Sequence, residues 1–223
     1  MKRRFALLLL GLVAALSAAE PAAPRRVMAV GDSITQGGGA TFATYRVPLA
    51  AKLRAAGLRF EFVGSQVTAT PQGPLRHEGY GGKNAEFLAG ILDAKLAAAP
   101  ADILMIQAGH NHFAEEKPIP GILAATRSMV ATARARNPRV VVIIAQVIPA
   151  GKLPKYAYLP ELNVALLALA KELDRPGQRV LSVDLATGFD VEKDAIADRV
   201  HPNDQGAEKI AQRWAEALTP WLR

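Results

Sequence analysis

Four short clusters of polar residues and glycines carry side chains able to do acyl-transfer chemistry. The first is Gly31-Asp32-Ser33-Ile34-Thr35-Gln36-Gly37, directly after the apolar run Val27 to Val30. A serine held just past a strand, on a turn that glycine permits, can act as a hydroxyl nucleophile if a base is within reach. Alone, the cluster reads more readily as an ordinary connecting turn, since turns use Gly, Asp and Ser. The following Gly37-Gly38-Gly39 lacks the Lys and Ser/Thr of a phosphate loop and the G-x-G-x-x-G spacing.

The second cluster is Asp198-Arg199-Val200-His201, followed by Pro202-Asn203-Asp204. An Asp three residues before a His can fold back onto its Nδ1–H, which leaves Nε2 free as a base. The competing reading is a surface loop whose Asn203 or Asp204 caps a helix. The third is Gly109-His110-Asn111-His112, where an asparagine amide at a strand end can donate to a developing oxyanion. His110 and His112 also invite a metal reading, but two histidines two apart point the same way only in an extended segment, and no metal is expected. The fourth is His77-Glu78-Gly79-Tyr80-Gly81-Gly82-Lys83-Asn84, whose glycines expose backbone N–H groups.

Alternating elements must position these clusters. Strands are expected at Val27–Val30, Phe60–Val63, Ile103–Ile106, Val140–Val147 and Arg179–Val183. Helical stripes run from Tyr45 to Leu53, Phe87 to Leu96, Ile122 to Arg136, Leu162 to Leu173 and Ala207 to Leu218. Val140–Val147, the longest β-branched run, has the pattern of a strand covered on both faces. The expectation is an α/β fold, a three-layer α/β/α sandwich on a five-stranded, mainly parallel sheet. Reactive groups on such a sheet sit past the carboxyl ends of the strands, where the first and third clusters fall.

Half of the 223 residues are hydrophobic and 21% are charged, a balance that excludes a disordered chain. The absence of cysteine removes disulfide scaffolds, thiolate metal sites and cysteine nucleophiles. The formal charge of +7 owes three units to Lys2, Arg3 and Arg4, which precede the uncharged run Phe5–Leu16 and the small residues Ser17-Ala18-Ala19. Those are the parts of a secretory signal peptide, too short for a transmembrane span. Residues 1–19 are therefore expected to be a signal, 20–26 a linker and 27–223 one catalytic domain, secreted or periplasmic and without a membrane anchor. The remaining basic residues are dispersed, so nucleic acid is not an expected partner.

Together the clusters supply a nucleophile, a His–Asp pair and oxyanion donors. Gly31–Gly37, Gly79–Gly82, Gly109–Asn111 and Asp198–Pro202 resemble, in order, four sequence blocks of the SGNH hydrolases, the GDSL esterase/lipase superfamily. Thr44-Tyr45-Arg46, Phe62–Gln66 and His77-Glu78-Gly79 are similar to the secreted carbohydrate esterases of family three, which deacetylate xylan. The resemblance implies a flavodoxin-like sandwich. It also implies Ser33 as nucleophile, His201 as general base and Asp198 as its orienting acid. The oxyanion hole would be Ser33 N–H, Gly82 N–H and the Asn111 side chain, with Gly81 competing with Gly82. No cofactor is implied. His112 stands where the family usually has Asp, so altered loop hydrogen bonding is expected there. The expected activity is hydrolysis of carboxylic esters, with an acetylated glycan or another small-acyl ester as substrate. A lipid esterase, lysophospholipase or thioesterase is the alternative within the superfamily, and a silent glycan-binding module the alternative outside enzymes.

Overall fold

The computed structural model describes residues 23–223; the expected signal and the first residues of the linker lie outside them. The strands are β1 (Arg25–Gly31), β2 (Phe60–Val63), β3 (Gln66–Thr68), β4 (Leu75–Gly79), β5 (Ile103–Gln107), β6 (Val141–Gln146) and β7 (Val180–Asp184). The helices are α1 (Ser33–Gln36), α2 (Arg46–Ala55), α3 (Ala85–Ala98), α4 (Pro118–Arg136), α5 (Leu159–Leu173), α6 (Val191–Asp194) and α7 (Asp204–Leu222). The sheet order is β3-β4-β1-β5-β6-β7, with β2 also paired to β1. All pairings are parallel except β3–β4.

Strand side chains alternate between two cores, as the period of two requires. Met28, Leu104, Ile106, Val142 and Ile144 face α3, α4 and α5. Val27, Ala29, Ile103, Met105, Val141 and Ile143 face α2 and α7. Both faces of the central strands are thus dry, which accounts for the continuous apolar run of β6. Among the described residues, no helix is long and apolar enough to cross a membrane.

The sheet has seven strands, not five. β3 and β4 carry Gln66, Thr68, Arg76, His77 and Glu78, so neither shows an apolar run that periodicity could detect. They form because β1 has pairing capacity left on one edge. β2 occupies its first half, from Arg25 to Met28, and β4 takes Val30 and Gly31. The fourth polar cluster therefore begins as a strand rather than a loop. This extra strand brings the glycine turn after Gly79 to the end of β1, where Tyr80 N–H donates to Gly31 O at 2.9 Å. A Cβ on Gly79 would lie 2.5 Å from Gln36 N, so only glycine lets β4 approach α1 this closely. α4 also starts four residues before its expected first residue, with Pro118 in its first turn, where the missing N–H costs nothing.

Candidate active site

Ser33 opens α1 directly after β1, and Asp32 caps that turn by accepting the Ile34 N–H at 3.0 Å through Oδ1. His201 comes from the loop between α6 and α7. Its Nε2 lies 2.8 Å from Ser33 Oγ, and its Nδ1 lies 2.5 Å from Asp198 Oδ2. The carboxylate at Nδ1 fixes the proton there, so Nε2 is the acceptor of the serine O–H. Asp198 Oδ1 also accepts the backbone N–H groups of Val200 and His201, each at 2.9 Å. Arg199 supports this tight return with a φ of 60°, a left-handed conformation costly for a side-chain-bearing residue. Gly151 N–H holds the Arg199 carbonyl at 2.7 Å. Partial burial works to raise the Asp198 carboxyl, but the hydrogen bonds from His201 and from both backbone amides outweigh it and hold it below its ordinary value. Residues 168 positions apart are thus joined in one hydrogen-bonded chain.

The glycine turn and the loop after β5 flank Ser33. Asn111 sits in a single 3₁₀ turn, His110–His112, and its Nδ2 donates to Lys83 O at 3.0 Å. That bond ties the asparagine to the glycine turn and leaves its second N–H available. Gly81 N–H is occupied by Gln36 Oε1 at 2.5 Å. Gly82 has φ 73°, and its N–H has no such partner among the described residues. Ser33, Gly81, Gly82, Asn111 and His201 all line one cleft of about 420 Å³, with Phe42, Tyr156 and Val200 among its walls.

The two histidines beside Asn111 have separate partners. His110 Nε2 donates to Ile148 O at 2.9 Å, and its Nδ1 faces Asp32 Oδ2 at 3.7 Å. His112, buried, pairs through Nε2 with Glu86 Oε2 at 2.8 Å in the first turn of α3. This pairing anchors the loop after β5 to α3. Glu115 brings a third possible ligand atom within 4.8 Å of the His112–Glu86 pair, so a metal reading of this loop would involve His112 with Glu86 and Glu115 rather than with His110.

Several site residues gave no signal as single positions. Phe42 stacks on the His201 ring, centroids 4.1 Å apart and planes 25° from parallel. Arg46 is wholly buried and ties the end of α1 to β3. Its Nε donates to Thr35 O at 2.6 Å, and its Nη2 to Gln36 O and Thr68 Oγ1 at 2.9 and 2.8 Å. Burial lowers its pKa to about 10, so it stays charged at neutral pH. Burial and the nearby Arg46 charge push His77 down to about 3, so that ring is neutral. The Thr44-Tyr45-Arg46 string was the visible trace of this network.

Residues 29–209 match the model of the GDSL-like lipase/acylhydrolase family, and the chain belongs to that family. It is an ester hydrolase of the GDSL superfamily with the SGNH hydrolase fold. Among solved structures it is similar to an acetyl esterase mutant crystallised with an acetate ion, at 25% identity and a TM-score of 0.78, covering 89% of this chain and 98% of that one. A family 3 carbohydrate esterase from Talaromyces cellulolyticus is 26% identical with a TM-score of 0.79, over the same shares. A family 3 carbohydrate esterase from Clostridium thermocellum is 25% identical with a TM-score of 0.77, covering 90% and 98%. No curated protein matches the chain by sequence.

Proposed function

We propose that the protein is a secreted serine esterase that removes acetyl groups from a polysaccharide or other glycan. The observation that carries this reading is the continuous relay from Ser33 Oγ through His201 to Asp198. In the first half-reaction His201 Nε2 takes the Ser33 proton as Oγ bonds to the ester carbonyl carbon. The negative charge passes to the carbonyl oxygen, where Ser33 N–H, Gly82 N–H and Asn111 Nδ2 stabilise it. Collapse breaks the bond to the alcohol oxygen, which leaves with the proton from His201 Nε2. Water then donates a proton to His201 and attacks the acyl-serine, and acetate leaves as Ser33 regains its hydrogen.

Asp198 keeps Nδ1 protonated throughout and offsets the positive charge that His201 carries between the two transfers. Phe42 restricts the ring to the plane in which both partners are met. The acyl half is placed against Tyr156 and Val200, buried side chains that line the cleft over Ser33. The resemblance to carbohydrate esterases supports a glycan as the alcohol half. The test is acetate release from a panel of acetylated glycans by the wild-type protein and by Ser33→Ala. Release that depends on Ser33 is expected; no release from any glycan, with other esters cleaved, would overturn the glycan part.

A further inference from the structure

A second pocket, about 770 Å³, adjoins the cleft over Ser33 and shares Gln36, Gly37 and Phe42 with it. We propose that this pocket seats the alcohol half of the ester, and that it selects a neutral, hydroxyl-rich glycosyl ring over a uronate or a phosphate headgroup. The proposal rests on the esterase reading of Ser33 and adds to it the kind of sugar accepted.

Direction comes from the proton transfer. The leaving oxygen must take its proton from His201 Nε2, so the alcohol half lies on the His201 side of the cleft. Phe42 covers that side, stacked on the His201 ring, and the larger pocket opens past it. The acyl half then faces Tyr156 and Val200, which line the smaller cleft but not the larger pocket.

Selectivity comes from the bonding capacity of the walls. Gln36 Oε1 is occupied by Gly81 N–H, so the free end of this side chain is its NH₂ donor. Thr68 is a donor by elimination. His77 Nδ1 accepts the Gly79 N–H at 3.0 Å, so the neutral ring carries its proton on Nε2, which lies 3.4 Å from Thr68 Oγ1. Arg46 Nη2 donates to the same oxygen at 2.8 Å. With two donors pointing at Thr68 Oγ1, its own O–H is left to point elsewhere, and Thr68 lines the pocket. Acceptors line the same pocket from the first turns of α7, as Asp204 and Glu208, the latter paired with Lys52 at 2.5 Å. Lys52 neutralises Glu208, but Asp204 has no basic partner among the described residues and no lysine or arginine lines the pocket, so an anionic ligand would meet the Asp204 carboxylate. Val47 and Val67, 36% and 52% exposed, add apolar rim against which the C–H face of a sugar ring can rest.

The experiment compares kcat/KM on three acetate esters: an acetylated neutral xylo-disaccharide, an acetylated disaccharide bearing a uronate, and methyl acetate. Wild type is expected to favour the neutral disaccharide over the uronate by about tenfold or more, which corresponds to 1.4 kcal/mol. Val67→Trp, a change on an exposed strand, is expected to raise KM for the neutral disaccharide and lower its preference over methyl acetate by about tenfold. Asp204→Asn combined with Glu208→Gln is expected to narrow the gap between the neutral and uronate esters. Equal rates on the first two esters in wild type, or an unchanged disaccharide preference in Val67→Trp, would overturn the pocket assignment. Methyl acetate hydrolysis that survives Ser33→Ala would instead overturn the esterase reading beneath it.

Discussion

Gln36 Oε1 accepts the Gly81 N–H at 2.5 Å, and this contact distinguishes two glycines that sequence leaves interchangeable. With Gly81 held, the next amide, on Gly82, is the one that can turn toward the cleft. Gln36 is thus a positioning residue for the oxyanion donor in the proposed mechanism. Gln36→Ala should lower kcat on p-nitrophenyl acetate by about tenfold while KM changes little, because a misaligned donor is felt most in the transition state. An unchanged kcat would show that the turn holds itself without this bond.

Ser33→Ala should leave a folded protein with ester hydrolysis reduced by a factor on the order of 10⁴–10⁶. A fluorophosphonate should label wild type once and the variant not at all. Labelling that persists in the variant would place the nucleophile elsewhere.

Asn111 and His112 are neighbours with different expected costs. Asn111→Ala removes a donor to the oxyanion and should lower kcat by about 10²–10³-fold. His112→Ala loses the pairing with Glu86 but no group facing the substrate, so its cost in kcat should be much smaller. Glu86→Gln should resemble His112→Ala, and EDTA should leave activity intact. The reverse ranking, or a metal requirement traced to His112, Glu86 and Glu115, would reassign this loop.

The parts that sequence exposed share a physical cause. β1, β5 and β6 are covered on both faces, so burial writes itself into consecutive apolar residues such as Val141 to Ala145. Ser33, Asp198, His201 and Asn111 stand beside strand ends or in short turns, where polar residue types are conspicuous. β4 left no such trace because, apart from Leu75, it buries the polar His77 and Glu78. These are satisfied by the Gly79 N–H and by Ser65 and Tyr80. The contacts of Phe42 and Arg46 were hidden for another reason, although Arg46 itself stood in the Thr44-Tyr45-Arg46 string. Their partners, His201 and Thr68, are remote in sequence, so neither periodicity nor spacing could relate them.

Asp198 gives a pH-dependent prediction. Its folded-state pKa is held below the ordinary value of 3.8, so its contribution to stability is complete above that value. The contribution is lost as pH falls through the depressed folded-state value. Asp198→Asn should therefore melt below wild type from neutral pH down to about pH 4, with the gap in Tm closing only at more acid pH. The same variant should lower kcat at neutral pH by about 10³–10⁴-fold, since the His201 proton is no longer confined to Nδ1. A gap in Tm that is constant through pH 2–3 would mean that the Asp198 charge adds nothing to stability.

The acyl group is the last point at which the proposed activity can be separated from a lipid esterase. A long acyl slot gains roughly 0.8 kcal/mol of binding for each CH₂ it buries, so kcat/KM would climb steadily from acetate to octanoate. The cleft over Ser33 is instead walled in part by Tyr156 and Val200, which are 6% exposed each. The Tyr156 ring lies edge-on to Phe113 with centroids 5.7 Å apart and near His110 at 6.1 Å, and it lines both this cleft and an apolar cavity of about 340 Å³ that Leu153, Ala157 and Leu159 complete. A chain longer than one or two added carbons must displace these groups or remain in water, and then gains nothing from its length. Across the p-nitrophenyl esters, kcat/KM should be highest at acetate or propionate and fall through hexanoate and octanoate. Tyr156→Ala should move the maximum to longer chains, because it opens the wall without touching the Ser33–His201–Asp198 relay. A wild-type rise through octanoate would favour a lipid esterase with the same relay. An unmoved maximum in Tyr156→Ala would show that the acyl group lies elsewhere in the cleft.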